Sequence, residues 1–293
     1  MPPDSLRVLL SGLVDYAGLF PPASLSMTDV ATNYAAYRQS PDAGALGRLI
    51  VPVARLGEFS GAMSSSGRRE HDTWRISALA SDDATQDAKD IAEWNASTNG
   101  AVVDTVEVRA TSPDAIAGIA RALREYTAYV EFPLVHDPLP YVDAIARAGV
   151  RAKIRTGGVT PDAFPHSVQI VRFLRACADR NLPFKATAGL HHPLRSRYRL
   201  TYAPDAPIGD MFGFLNVFLA AAFASKGLPE TQLLSLVEER DPSALEFRSD
   251  AIRWRDEVID LQRLADIRTS FAIAFGSCSF REPIDDLHQL GLL

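Results

Sequence analysis

Two kinds of hydrophobic pattern alternate along this chain. Short runs rich in β-branched and aromatic residues occupy 13–20, 49–56, 74–80, 104–110, 128–135, 150–156 and 183–189, with 244–249 as a weaker eighth, and these read as strands. Between them lie longer stretches with apolar residues at three- and four-residue spacing. These are MTDVATNYAAYRQ, DATQDAKDIAEWNAS, SPDAIAGIARALREY, LPYVDAIARAG, FPHSVQIVRFLRACADR and DMFGFLNVFLAAAFASKG. Several open on helix-start pairs such as Ser112–Pro113 and Thr160–Pro161. Strands alternating with helices mean βαβ units and a parallel sheet. Eight such units in 293 residues predict one α/β domain, a single (β/α)8 TIM-type barrel over 1–293. An open doubly wound sheet would carry a glycine-rich fingerprint after its first strand, whereas this chain runs into FPPAS. Residues 270–293 read as a C-terminal helical extension: a helix ending at Gly276, a Ser/Cys loop and a short closing helix.

Side chains on a strand alternate between its two faces. Strands of a parallel barrel are apolar on both, so polar exceptions are informative. In DTVEVRA, Val106 and Val108 share one face, which leaves Thr105, Glu107 and Arg109 on the other. By the same alternation Tyr129 and Glu131, then Lys153 and Arg155, then Lys185 and Thr187 turn away from the helix layer. Four consecutive strands thus aim a charge at the barrel interior, and Asp15 on the first strand is a further inward acid. Buried charges are costly unless paired. They form either an ion-pair network filling the barrel or an active site, which barrels place at the C-terminal ends of their strands.

The choice of cation bears on this. Of 30 basic residues only Lys89, Lys153, Lys185 and Lys226 are lysine, and two of these sit in short apolar runs. Arg would serve an ion pair as well. Lys alone can give up its proton and act as a base or nucleophile.

The stretches carrying those lysines, KIRTGG at 153–158 and KATAGL at 185–190, resemble class I, Schiff-base aldolases of the deoxyribose-phosphate aldolase type. The resemblance implies a (β/α)8 barrel and no cofactor. It makes Lys153, on strand six, the amine that forms an imine with a small oxygenated carbonyl substrate. Lys185, on strand seven, becomes the neighbouring cation that favours the free amine, and Glu107 or Glu131 the acid that shuttles protons. Arg155 replaces a small polar residue of the family's pattern and, with Arg109, brings guanidinium groups suited to an anionic part of the substrate. Asp15, Thr187 and His191 complete the expected substrate contacts. Elsewhere, DYAGLFPPA at 15–23 and FGSCSFREP at 275–283 resemble motifs of an uncharacterised bacterial family that carries no activity to transfer.

Other readings stay open. Glu107, Glu131 and His191 could together hold a divalent metal ion, with a lysine as base, giving an isomerase, epimerase or lyase. A non-catalytic barrel that clamps a small molecule would show the same inward charges. Arg195, Arg197 and Arg199, in the long connection 191–209, alternate in a way that suits a carboxylate or phosphate clamp or a solvated surface. Cys278 reads as structural, since no His/Asp arrangement is visible around it.

Net charge of −6 argues against a nucleic-acid partner. The N-terminus lacks a signal-peptide pattern, two cysteines are too few for a disulfide framework, and the longest apolar run, 212–224, is too short for a membrane. The expectation is a cytoplasmic enzyme, with that apolar helix covered by a neighbouring subunit in a homo-oligomer.

Overall fold

The computed structural model of the chain describes residues 2–134 and 137–293. Eight parallel strands close into a barrel: β1 (Val14–Tyr16), β2 (Leu46–Pro52), β3 (Trp74–Leu79), β4 (Ala101–Arg109), β5 (Thr127–Glu131), β6 (Arg151–Arg155), β7 (Phe184–Thr187) and β8 (Ala272–Ser277). Each pairs with its neighbours in chain order, and β8 closes on β1 through Val14↔Phe275, Asp15↔Gly276 and Tyr16↔Ser277. The expected (β/α)8 architecture is therefore the observed one. The last residue of the predicted fifth strand, 135, lies outside the described residues.

The alternation read from the sequence sorts the faces correctly. Val106, Val108, Val130, Ile154 and Ala186 are buried against the helix layer. Their neighbours Glu107, Glu131, Lys153 and Lys185 are just as buried on the other side, inside the barrel. Local signals start and stop the surrounding helices, although Ser112 and Thr160 head the short 3-10 turns Pro113–Ala115 and Pro161–Ala163 and cap neither with a side chain. Asp83 accepts the Thr85 and Gln86 backbone N–H groups to open Ala84–Ser97, and Gly149, in the left-handed region at φ 71°, ends Leu139–Ala148.

Three expectations are corrected. The eighth strand is not 244–249: Leu245–Phe247 is an edge of a small antiparallel sheet outside the barrel, with Ala251–Trp254 and Glu257–Asp260. The true eighth strand, β8, lies where a helix ending at Gly276 was expected. FAIAFGS is apolar on both faces, as a fully enclosed strand must be, so it shows no alternation to separate it from a buried helix. Phe271 alone joins it to the preceding helix Leu261–Ser270. Of the predicted closing tail, only the helix Arg281–Gln289 lies beyond the barrel strands.

Secondly, the connection 191–209 is not a plain loop. Ser196–Arg199 and Ile208–Met211 pair as an antiparallel hairpin. Thirdly, every residue of the apolar helix Phe214–Ala224 is buried within the chain, packed by Ser167–Ala178 and Glu230–Val237. That helix is therefore covered by the chain's own elements rather than awaiting a neighbouring subunit. No described helix is long and apolar enough to cross a membrane.

The N-terminal end of the barrel is fastened by a buried cation. Arg268 donates to the backbone carbonyls of Leu9, Ser11, Ala272 and Ile273, tying the first helix, Asp4–Leu10, to the base of β8. The chemistry-bearing charges sit above it.

Candidate active site

Register sets the site. Glu131 on β5 is level with Lys153 on β6, and Lys153 is level with Lys185 on β7. Two lysines side by side need carboxylates between and beneath them. Lys153 Nζ lies 2.8 Å from Glu107 Oε2 and 2.9 Å from Glu131 Oε2. Lys185 Nζ contacts the other oxygen of Glu107 and Asp15 Oδ2. Ser77 on β3 donates to Glu107 Oε1 at 2.7 Å, and the Arg48 backbone N–H donates to Asp15 Oδ1 at 2.6 Å. The result is an alternating row, Glu131–Lys153–Glu107–Lys185–Asp15, crossing the interior from the β5 side round to β1.

The row descends from the cavity into the core. A cavity of about 350 Å³ opens at the C-terminal ends of the strands, with Glu107, Glu131 and Lys153 on its floor and Thr187, His191 and Cys278 on its wall. Asp15 and Lys185 lie beneath it and do not line it. Arg109 and Arg155 stand at its mouth with side chains 68% and 42% exposed, 3.5 and 3.1 Å from Glu131 Oε1. They continue into an adjoining cleft of about 560 Å³ that they share with Glu131. Arginines thus face solvent and lysines lie at depth.

Burial alone would push the Glu107 carboxyl up, but Lys153 and Lys185 outweigh it and hold this group well below the usual carboxylate range. Glu131 is also lowered: burial opposes ionisation, and Lys153, then Arg155, overcome it. Lys185 is pushed the other way, since Asp15 and Glu107 more than offset desolvation and hold it protonated. Lys185, expected as the cation beside Lys153, thus has its charge met by two carboxylates.

Glycines shape the surroundings. A Cβ on Gly47 of β2 would come within 2.2 Å of Asp15 Oδ1, so only glycine leaves room for that carboxylate. After the two lysine strands, the TGG and TAGL turns pass at contact distance. Gly189 has φ 74°, and a Cβ there would sit 2.8 Å from Gly157 Cα. Thr156 Oγ1 donates to the Ala188 carbonyl across the same clasp, which holds Ala188 itself at φ 61°. The glycine-rich stretches that marked these lysines in the sequence thus join the ends of β6 and β7.

Two expected residues fall elsewhere. Arg195 stacks over Phe212, 4.8 Å from its ring centre, outside the barrel mouth, and Arg197 lies on the hairpin opposite Asp210. The residue pattern could not foresee the hairpin that turns them away. Conversely, sequence reasoning missed the neighbours of Cys278. His191 Nδ1 lies 3.9 Å from its sulfur and 3.0 Å from Glu282 Oε2, and Tyr202 OH reaches both Cys278 Sγ, at 3.6 Å, and Glu282 Oε2, at 3.2 Å. Burial opposes charging His191, yet contact with Cys278 and Glu282 pushes its pKa up to about 10. Only the fold brings positions 191, 202, 278 and 282 together.

Glu107, Glu131 and His191, the donors expected for a divalent cation, each face another partner. Both glutamates are engaged by ammonium groups, His191 is turned to Glu282, and among the described residues no three His, Cys, Asp or Glu side chains are placed to hold a metal ion.

No protein-family model matches the chain, and no curated protein is similar to it. Among solved structures, a mutant of D-threo-3-hydroxyaspartate dehydratase is similar over 61% of this chain and 55% of that one, at 13% identity and a TM-score of 0.29. This chain thus matches about half the length of that protein, and a likeness of this extent carries no argument about chemistry.

Proposed function

We propose that this barrel is a lyase of the Schiff-base aldolase type, acting on a small carbonyl compound that carries an anionic group. One observation carries the reading: Lys153 is an amine on the floor of a cavity of about 350 Å³, bracketed within 3 Å by two carboxylates. Lys153 sits on β6, Lys185 on β7, and the acids on β4 and β5, the strands on which the aldolase resemblance expects them.

Glu107 is pinned by Lys185 and Ser77 and serves as a fixed counter-charge. Glu131 faces the cavity and is the group that exchanges protons. It takes a proton from the Lys153 ammonium as a carbonyl enters. The amine adds to the carbonyl carbon, the oxygen leaves as water with two protons, and a cationic iminium remains between the same two carboxylates. Cleavage of the neighbouring carbon–carbon bond delivers its electron pair into the iminium, while the hydroxyl proton of the departing aldehyde passes to Glu131. Reprotonation and hydrolysis return Lys153. Arg109 and Arg155 hold the anionic end of the substrate at the mouth.

The paired state of Lys153 also favours a second reading, a barrel that binds an anionic ligand without turning it over. Borohydride trapping separates the two. Incubation with small aldehydes and ketones, reduction and peptide mapping should give a stable adduct on Lys153 that is absent in Lys153→Arg. An adduct on Lys185 would exchange the roles of the lysines. A folded protein that traps no carbonyl while Lys153→Arg still binds small anions would sink the aldolase reading and leave the binder.

A further inference from the structure

Cys278 and its neighbours are not used by the chemistry above, although they open onto the same cavity. The two cysteines of the chain are in opposite settings. Cys177 lies in the core within the helix Ser167–Ala178, where burial pushes its thiol up and out of use. Cys278 follows β8 at the C-terminal rim and lines the cavity wall together with His191. Three elements converge on it: His191 from the segment after β7, Tyr202 from beyond the Ser196–Arg199 strand of the hairpin, and Glu282 from the closing helix, which orients His191. Tyr16, at the end of β1, is a further titratable neighbour, whose hydroxyl burial keeps protonated, and His192 lies 3.9 Å from Glu282 Oε1. A thiol, a ring nitrogen beside it and a carboxylate that fixes the ring are the parts of an activated nucleophile, although in this geometry both partners address the same nitrogen of His191.

We infer that Cys278, served by His191 and Glu282, is a second covalent site in this cavity, one that adds reversibly to small aldehydes. The sulfur attacks the carbonyl carbon and an S–C bond forms. The π pair moves to the oxygen, and the proton that left the sulfur reaches that oxygen through His191. The product is a hemithioacetal, nothing is oxidised or reduced, and the reverse step releases the aldehyde unchanged. The arrangement does not depend on Lys153 forming an imine.

The test is the rate of Cys278 alkylation by iodoacetamide, followed by peptide mass spectrometry, with Cys177 as an internal reporter that labels only if the protein unfolds. In the folded protein Cys278 should label while Cys177 does not. His191→Asn should slow labelling at neutral pH several-fold, because the ring nitrogen beside the sulfur that takes the thiol proton is gone. Glyceraldehyde should protect Cys278 both in the natural protein and in Lys153→Met, which cannot form an imine. Unchanged labelling in His191→Asn, or no protection by glyceraldehyde in Lys153→Met, would overturn the inference whatever the fate of the aldolase reading. Should His191→Asn label at Cys177, Glu282→Gln takes its place. If that variant unfolds as well, natural Cys278 must label faster than free cysteine at pH 6.5, and an equal rate refutes the proposal.

Discussion

Replacing Lys185 by methionine removes a cation that is only 2% exposed and keeps most of its volume. It leaves Asp15 facing no cation at contact distance and Glu107 with Lys153 alone. Removing one partner of a buried ion pair typically costs about 3–5 kcal/mol. At roughly 2–4 °C per kcal/mol for domains approaching this size, Lys185→Met should lower Tm on the order of 10 °C. The cost comes from the stranded acid, so Asp15→Asn added to Lys185→Met should recover at least half of it. The pH dependence has a definite sign. Glu107 is held below its ordinary value near 4.5, so its contribution is complete above that pH and fades as pH falls toward the lowered value. Lys185 is held above its ordinary value near 10.5, so its contribution is complete below that pH and fades above it. Chemical denaturation of the three proteins from pH 4 to 9 should give a constant gap at neutral pH that narrows at the acid end. A Lys185→Met protein within about 1 kcal/mol of the natural one, or a double variant no more stable than the single, would refute the paired-row account, since either lies outside the cost expected of a stranded buried charge.

Three further outcomes follow from contacts already described. Gly47→Ala drives a methyl into Asp15 Oδ1, which cannot retreat because Lys185 and the Arg48 N–H hold the carboxylate from two sides. Overpacking of this kind costs about 1–3 kcal/mol, read as a shift in denaturation midpoint. Arg268→Met strands four backbone carbonyls at the base of the barrel and should cost several kcal/mol, at about 1–3 per unsatisfied group before relaxation; a loss below ~1 kcal/mol would show that water replaces it. The His191 pKa is raised to about 10, so the stability it lends is complete below its ordinary 6.5 and is lost toward pH 10. The Tm gap between the natural protein and His191→Gln should therefore be widest near pH 6 and close with rising pH.

The sequence exposed what is local and periodic. Period-two alternation placed Glu107, Glu131, Lys153 and Lys185 inside the barrel, because a charge on an otherwise apolar strand has one face left to occupy. It failed where periodicity carries no information. β8 is enclosed on both sides, so FAIAFGS lacks the alternation that identified β4. The edge strand Leu245–Phe247 shows alternation and took its place in the count. The Cys278 cluster was invisible for a different reason. Its members are separated by up to 91 positions, as between His191 and Glu282, and only barrel closure together with the hairpin sets them side by side. The hairpin likewise decided where Arg195 and Arg197 lie, which the residue pattern had left open.

The pairing of Lys153 with two carboxylates looks at first like an argument against a free amine. It bears instead on which intermediates the cavity favours. Three buried carboxylates face two buried lysines, Arg155 at the mouth supplies a third positive charge, and the more exposed Arg109 lies a little farther from Glu131. An ammonium on Lys153 completes that balance, and so does an iminium, which carries the same charge at the same nitrogen. The neutral enamine does not. When it forms, Glu131 loses the cation that lowers its pKa most, and its carboxyl becomes the natural resting place for the displaced proton. On this account Glu131→Gln traps a carbonyl on Lys153 under borohydride more slowly, because the ammonium must first lose its proton, and handles the subsequent proton poorly as well. Solvent deuterium incorporation next to the carbonyl of a small ketone, followed by NMR, reads that step directly. It should fall by the 10²–10⁴-fold typical of a lost general acid–base. Glu107→Gln should instead destabilise the protein, because its partners are the two lysines it separates. Deuterium exchange that is indifferent to Glu131→Gln would move the proton-handling role away from the one carboxylate that both lines the cavity and touches the arginines at its mouth.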